Sequence, residues 1–130
     1  MATKILIVDD ERGLADTLCD ILCRAGYDCR AEYSGSEALA HLEQSQPALV
    51  ISDVMMPGLN GVDLAKKIRG RFPECRVLLF SGNAATHDLL LIARAEGYNF
   101  QVLAKPLPPR KLLAIVADTL AQPQVDAFVW

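Results

Sequence analysis

Apolar residues in this chain follow two rhythms. Lys4 to Val8 (KILIV) and Ala48 to Ile51 (ALVI) are nearly unbroken apolar runs of strand length, the pattern of strands covered on both faces. Val77 to Phe80 and Gln101 to Ala104 predict two more strands, and Cys29 to Tyr33, mixed in polarity, predicts a weaker one at an edge. Between them the period lengthens. Leu14, Leu18, Ile21, Leu22 and Ala25 recur at helical spacing, and Gly26 is suited to end that helix. Ser34 with Glu37 three residues later forms a capping box for a helix carrying Ala38, Leu39 and Leu42 that stops before Pro47. Val62, Ala65 and Ile68 predict a third helix ending near Gly70. Ala84 to Glu96 reads as a fourth, closed by Gly97, and Pro108 and Pro109 start a fifth bearing Leu112, Leu113, Ile115, Val116 and Leu120.

Strands alternating with helices predict a parallel sheet with helices on both faces. Five such repeats give an α/β domain of the flavodoxin-like, three-layer (βα)5 kind. The 130 residues suffice for one domain, taken as residues 1–121, with a tail at 122–130 that has no clear period. No apolar run approaches the roughly 20 residues of a membrane span, and the start is too short in apolar residues for a secretory signal, so a cytoplasmic protein without membrane contact is expected. A net charge of -3 argues against direct nucleic-acid binding, which depends on clustered positive charge. The basic residues Lys66, Lys67, Arg69, Arg71 and Arg76 read as a solvated helix face and the loop after it.

Candidate chemistry lies where the predicted strands end. In a parallel sheet these ends share one edge, and ligands bind in the crevice outside it. The first strand runs into Asp9 and Asp10, the third into Asp53, the fourth into Ser81 and the fifth into Lys105. Asp53 taken alone could equally cap the turn that follows it. Taken together, three carboxylates at one edge repel one another, and a hard divalent cation with oxygen ligands relieves this. Mg²⁺ suits the set, because it uses one or two carboxylates and accepts phosphate oxygens. A nearby Lys adds positive charge and a Ser hydroxyl can donate a hydrogen bond. Such a set fits phosphoryl transfer with an Asp as nucleophile.

ILIVDDE, SDVMMPGLNG, LLFSGNA and LAKPL occur in an order and spacing that resemble the receiver domain of two-component response regulators, over roughly Lys4 to Ala121. The resemblance implies the strand order 2-1-3-4-5. It implies Asp53 as phosphoacceptor, Asp10 as a direct Mg²⁺ ligand, Asp9 as a ligand through water and the Met55 carbonyl as a further ligand. Ser81 and Lys105 would contact the phosphoryl group, and the peptide before Pro106 would be cis. The donor would be a histidine kinase or a histidine phosphotransfer protein in a two-component system or phosphorelay. The chain would catalyse its own phosphorylation and dephosphorylation without turning over a separate substrate.

Three alternatives keep the same residues. A Mg²⁺-dependent phosphatase working through an aspartyl-phosphate would want a second acid near the nucleophile, where the chain has Val54 and Met55. A pure interaction domain would not need the acids, Ser and Lys. An excised receiver of a longer regulator would end in a polar linker, unlike Phe128, Val129 and Trp130.

Several residues stand apart from this set. The family places an aromatic switch residue three positions before the Lys, but Val102 stands there, and Phe100 lies two residues away on the same strand face. Val has a short, stiff side chain. Activation is therefore expected to move the Ser81–Thr86 loop and the start of the fourth helix, with little change in the fifth strand. Leu89 to Ile92 and Leu112 to Val116 exceed what a core absorbs, which predicts a homodimer or output-partner surface on the fourth helix, fifth strand and fifth helix. His41 and His87 read as solvated helix residues. Cys19, Cys23, Cys29 and Cys75 show no zinc spacing and read as small buried hydrophobes.

Overall fold

The computed structural model describes residues 2–82 and 86–122. Five strands alternate with five helices: β1 (Lys4–Val8), α1 (Arg12–Arg24), β2 (Asp28–Glu32), α2 (Gly35–Gln44), β3 (Leu49–Asp53), α3 (Gly61–Arg71), β4 (Arg76–Ser81), α4 (Thr86–Ala95), β5 (Gln101–Ala104) and α5 (Pro109–Ala121). The strands form one parallel sheet in the order β2-β1-β3-β4-β5, as expected. All five residues of β3, the central strand, are buried.

The alternation of side chains along the strands divides the core between two faces. Ile5, Ile7, Leu49, Ile51, Leu78 and Phe80 point to the layer of α1 and α5, where they meet Leu18, Leu22, Leu112 and Val116. Leu6, Val8 and Val50 point the other way, to Leu42 of α2 and to Leu64 and Ile68 of α3. Leu79, Val62, Ala65, Ala93 and Phe100 continue that second layer under α4.

Local signals act as the sequence predicts at most ends. The Glu37 amide donates to Ser34 Oγ (3.1 Å), so Ser34 caps α2 as expected, and the Ser34 hydroxyl donates to Glu37 Oε1 (3.2 Å). Gly26 and Gly97 take positive φ after α1 and α4, and Pro109 opens α5. α3 ends at Arg71, near Gly70 as expected, with Pro73 limiting the helix. Two expectations need correction. The apolar surplus on α5 is absorbed, because Leu112 and Val116 are fully buried against the sheet and α1. Among the described residues the exposed large apolar side chains are Leu91 and Ile92 of α4, Val102 of β5 and Met55 after β3. Cys29 and Cys75 are buried as expected, but Cys19 is only partly buried and Cys23 is exposed.

His41 lies against the Glu32 carboxylate (3.0 Å) and His87 is exposed on α4. Phe100 is buried just before β5, stacked on Tyr98 with the Arg69 guanidinium 5.0 Å over its ring. Residues 83–85 and 123–130, with Asn83 and Ala84 of the Ser81–Thr86 loop, the start predicted for the fourth helix and nearly all of the tail, lie outside the described residues. No helix among the described residues is long and apolar enough to cross a membrane.

Candidate functional site: an acidic cluster at the carboxyl edge of the sheet

Backbone bonds set the site residues at or just past the ends of their strands. The Asp9 amide donates to the Glu32 carbonyl (3.2 Å), that of Val54 to Phe80 (3.0 Å) and that of Lys105 to Ser81 (3.0 Å), so the parallel ladder is kept to the rim. This places Asp9, Asp10, Asp53, Ser81 and Lys105 on neighbouring strand ends.

The carboxylates of Asp9, Asp10 and Asp53 come together, with one oxygen from each lying within 4.8 Å of the others. Asp9 is fully buried; its Oδ1 accepts the Glu11 amide (3.0 Å) and its Oδ2 the Lys105 ammonium (3.2 Å). Asp10 is exposed. Lys105 Nζ also stands 3.3 Å from Asp53 Oδ2, so one cation bridges two of the three acids. The Asp53 carboxyl is pushed above the usual carboxylate range, first by burial, then by the charge of Asp9, with Lys105 opposing and Asp10 adding a little. Burial also works to lower Lys105, but the attraction of Asp53 and Asp9 and the hydrogen bonds to them outweigh it and its ammonium is raised.

That shift has a sign. A carboxyl raised in the folded state adds no penalty below its ordinary value of about 3.8, where both states are protonated, and lowers stability as pH rises through the folded value. Asp53→Asn is therefore expected to stabilise the cation-free protein at pH 7, with the difference closing below pH ~4. Urea denaturation in chelator at both pH values measures it. A variant less stable than wild type at pH 7 would mean that the bridge to Lys105 outweighs burial and repulsion.

The loop from β3 to α3 is tightly built around Asp53. Ser52 Oγ donates to the Asp53 carbonyl (2.9 Å), the Gly61 amide to the Val54 carbonyl (2.8 Å), and the Asp63 amide to Asn60 Oδ1 (2.9 Å), which caps α3. A cleft of about 660 Å³ opens over the cluster, lined by Asp10, Asp53, Met55, Thr86 and Lys105 and running on to Leu107. Met55 is on its exposed rim. The Lys105-Pro106 peptide is cis.

Ser81, half-buried at the end of β4, is hydrogen-bonded through its hydroxyl to that of Thr86, itself buried at the start of α4. Sequence reasoning assigned Thr86 no role, and it missed Gly61, whose Cα is pressed against the Asp53 carbonyl. Gly61 had a signal in the Asn-Gly pair before a helical period. Thr86 had none, since its position depends on how α4 meets β4.

Comparison with known proteins agrees with this geometry. The family model described as the response regulator receiver domain matches residues 5–117. The chain is 38% identical over 117 residues to the response regulator protein FleR of Pseudomonas aeruginosa, a match covering 90% of this chain and 24% of that one. It thus spans about a quarter of that relative's length. Among solved structures, a CheY-like receiver domain protein from Methanospirillum hungatei superimposes with a TM-score of 0.82 at 27% identity, over 92% of this chain and 94% of that one. The chemotaxis response regulator CheY4 of Vibrio cholerae gives a TM-score of 0.79 at 27% identity, over 91% and 98%. The sheet order, the acidic cluster with its bridging lysine and the matched span of 113 residues, from 5 to 117, agree: this chain belongs to the response regulator receiver domain family.

Proposed function

We propose that this domain is a phosphorylatable signalling switch that accepts a phosphoryl group on Asp53 from the phosphohistidine of a histidine kinase or phosphotransfer protein. One observation carries the reading. A carboxylate at the end of the central strand has Lys105 Nζ 3.3 Å away and two further acids whose oxygens lie within 4.8 Å. Three carboxylates against one ammonium leave an excess of negative charge and a set of hard oxygen donors, which fits Mg²⁺. Asp9, Asp10, Asp53 and the Met55 carbonyl would hold the ion, which when bound supplies charge neutralisation for the incoming phosphoryl oxygens.

The chain's own groups do the rest. An Asp53 oxygen attacks phosphorus and the P–N bond to the donor imidazole breaks. The bonding electron pair leaves on the ring nitrogen, and an acyl phosphate remains on Asp53. Lys105, already poised between Asp9 and Asp53, can follow the new charge onto a phosphoryl oxygen. Ser81 can exchange its bond with Thr86 for one to the phosphoryl group, which would draw on the start of α4. At Val102, 36% exposed, there is no ring to turn inward, so the signal would leave through the Ser81–Thr86 segment and α4. Leu91 and Ile92 on that helix offer the apolar contact for a second copy or an output partner.

Intact-mass measurement after treatment with a small phosphodonor and Mg²⁺ tests the central claim. One added phosphoryl group is expected, absent with chelator and absent in Asp53→Ala. Equal labelling of that variant would remove Asp53 from the role, and steady turnover of a phosphomonoester would favour a phosphatase instead.

A further inference from the structure

Helix α4 is held differently at its two ends. Of its residues only Thr86 and Ala93 are buried, with Leu89 and Leu90 half-buried between them. At the carboxyl end the Tyr98 amide donates to the Ala93 carbonyl (2.9 Å) and the Gly97 amide to that of Arg94 (3.0 Å), with Gly97 at positive φ, so Tyr98 is tied to the last turn. Two cations of α3, three positions apart and so on one face, close over this turn. The Lys66 ammonium pairs with the Glu96 carboxylate and stands 5.5 Å from the centre of the Tyr98 ring. The Arg69 guanidinium stands over Phe100, on which Tyr98 is stacked, and Phe100 is buried among Val62, Ala65, Leu79 and Ala93. One ion pair, two cation–π contacts and one ring stack thus join α3 to the end of α4 and the head of β5. At the amino end, the hydroxyl of Thr86 is bonded to that of Ser81, at the edge of the acidic site.

We propose that this α3 clamp is the pivot of a lever: on phosphorylation of Asp53 the amino end of α4 swings, while its carboxyl end stays fixed against α3. The inference rests on the reading of Asp53 as phosphoacceptor. A ligand moves an equilibrium only through groups it treats differently in the two states. Transfer of the Ser81 bond from Thr86 to a phosphoryl oxygen acts at the first turn of α4, and the clamp of Lys66, Arg69, Glu96, Tyr98 and Phe100 shares no residue with it. A helix of ten residues is about 15 Å long, so a swing of about 10° at the clamp carries Thr86 about 2.5 Å. Leu89 and Leu90 lie between pivot and free end and lift with it, extending the exposed apolar surface of Leu91 and Ile92. Val102 has no ring to couple β5 to this motion; Phe100, which lines the same groove beside α4, holds the pivot instead.

The test is amide hydrogen exchange on the full chain, before and after treatment with a small phosphodonor and Mg²⁺, with intact mass recording the added phosphoryl group. Exchange over residues 86–90 is expected to rise about tenfold or more, and over residues 94–100 to change less than about twofold. Lys66→Met with Arg69→Met removes both cations at similar volume, and residues 94–100 should then respond to within about threefold of the amino end. Glu96→Gln is the milder second variant, and urea midpoints verify that each is folded. Ser81→Ala breaks the hydroxyl pair with no phosphoryl group present and should loosen the amino end alone. That variant tests the pivot independently of Asp53, whose failure to gain mass would count against the phosphoacceptor reading only. Equal change at both ends of α4 in the wild-type chain, a carboxyl end still silent in the double variant, or an unchanged amino end in Ser81→Ala would each overturn the pivot.

Discussion

Gly61→Ala should cost this domain more than about 4 kcal/mol, a size reached only by a few mechanisms, of which forced overlap in a packed interior is one. A Cβ at position 61 would stand 2.0 Å from the Asp53 carbonyl oxygen, 2.8 Å from its carbon and 2.9 Å from the Val54 Cα. All three are backbone atoms at the end of the central strand, so no side chain can swing aside. Relief would require moving β3 away from its neighbours or pulling α3 off the sheet. Against a typical total stability of about 5–15 kcal/mol, much of the population would be unfolded. Gly70→Ala is the matched control: nothing lies within 4 Å of its added methyl, it is within α3, and a gain of roughly 0.5–1 kcal/mol is expected. Urea midpoints measure both. A Gly61→Ala protein within about 1 kcal/mol of wild type would show that the close approach is not rigid.

Mg²⁺ should raise the stability of the folded chain by about 2.7 kcal/mol at a hundredfold excess over its dissociation constant, provided it binds only the folded state. For a domain of this size that corresponds to roughly 10 °C in melting temperature. The basis is the imbalance at the sheet edge, where Lys105 serves Asp9 and Asp53 while exposed Asp10 shares the same few ångströms. Asp10→Ala should remove most of the gain without disturbing the core, because its side chain fills no packed space. Scanning calorimetry with Mg²⁺ and with NaCl of equal ionic strength distinguishes binding from screening. An equal shift in NaCl, or an undiminished shift in Asp10→Ala, would mean that the cluster does not hold the ion.

The architecture was legible because each layer has its own pattern. Runs such as KILIV and ALVI are buried on both faces and so carry no alternation, whereas the helices keep theirs. The rim residues were legible for the same reason, since a polar residue directly after an unbroken apolar run marks a strand's end. What the sequence left open depends on neighbours far along the chain. Whether Leu112 and Val116 are spare or buried is decided by α1, and whether Leu91 and Ile92 are covered depends on what packs over α4. The bond between Ser81 and Thr86 follows from the angle at which α4 meets the sheet, for which no local motif exists.

The bridge from Lys105 to Asp9 joins residues 96 positions apart. The two aspartates that follow β1, and Asp53 after them, leave the ribosome well before the lysine that balances them. Contacts of such long range are slow to form, because the intervening chain must be ordered first. A nascent chain that pairs β1 with β3 therefore gathers its negative charge before it has a covalent counter-charge. The parallel topology that makes a compact edge also makes its electrostatic balance one of the last things this polypeptide acquires.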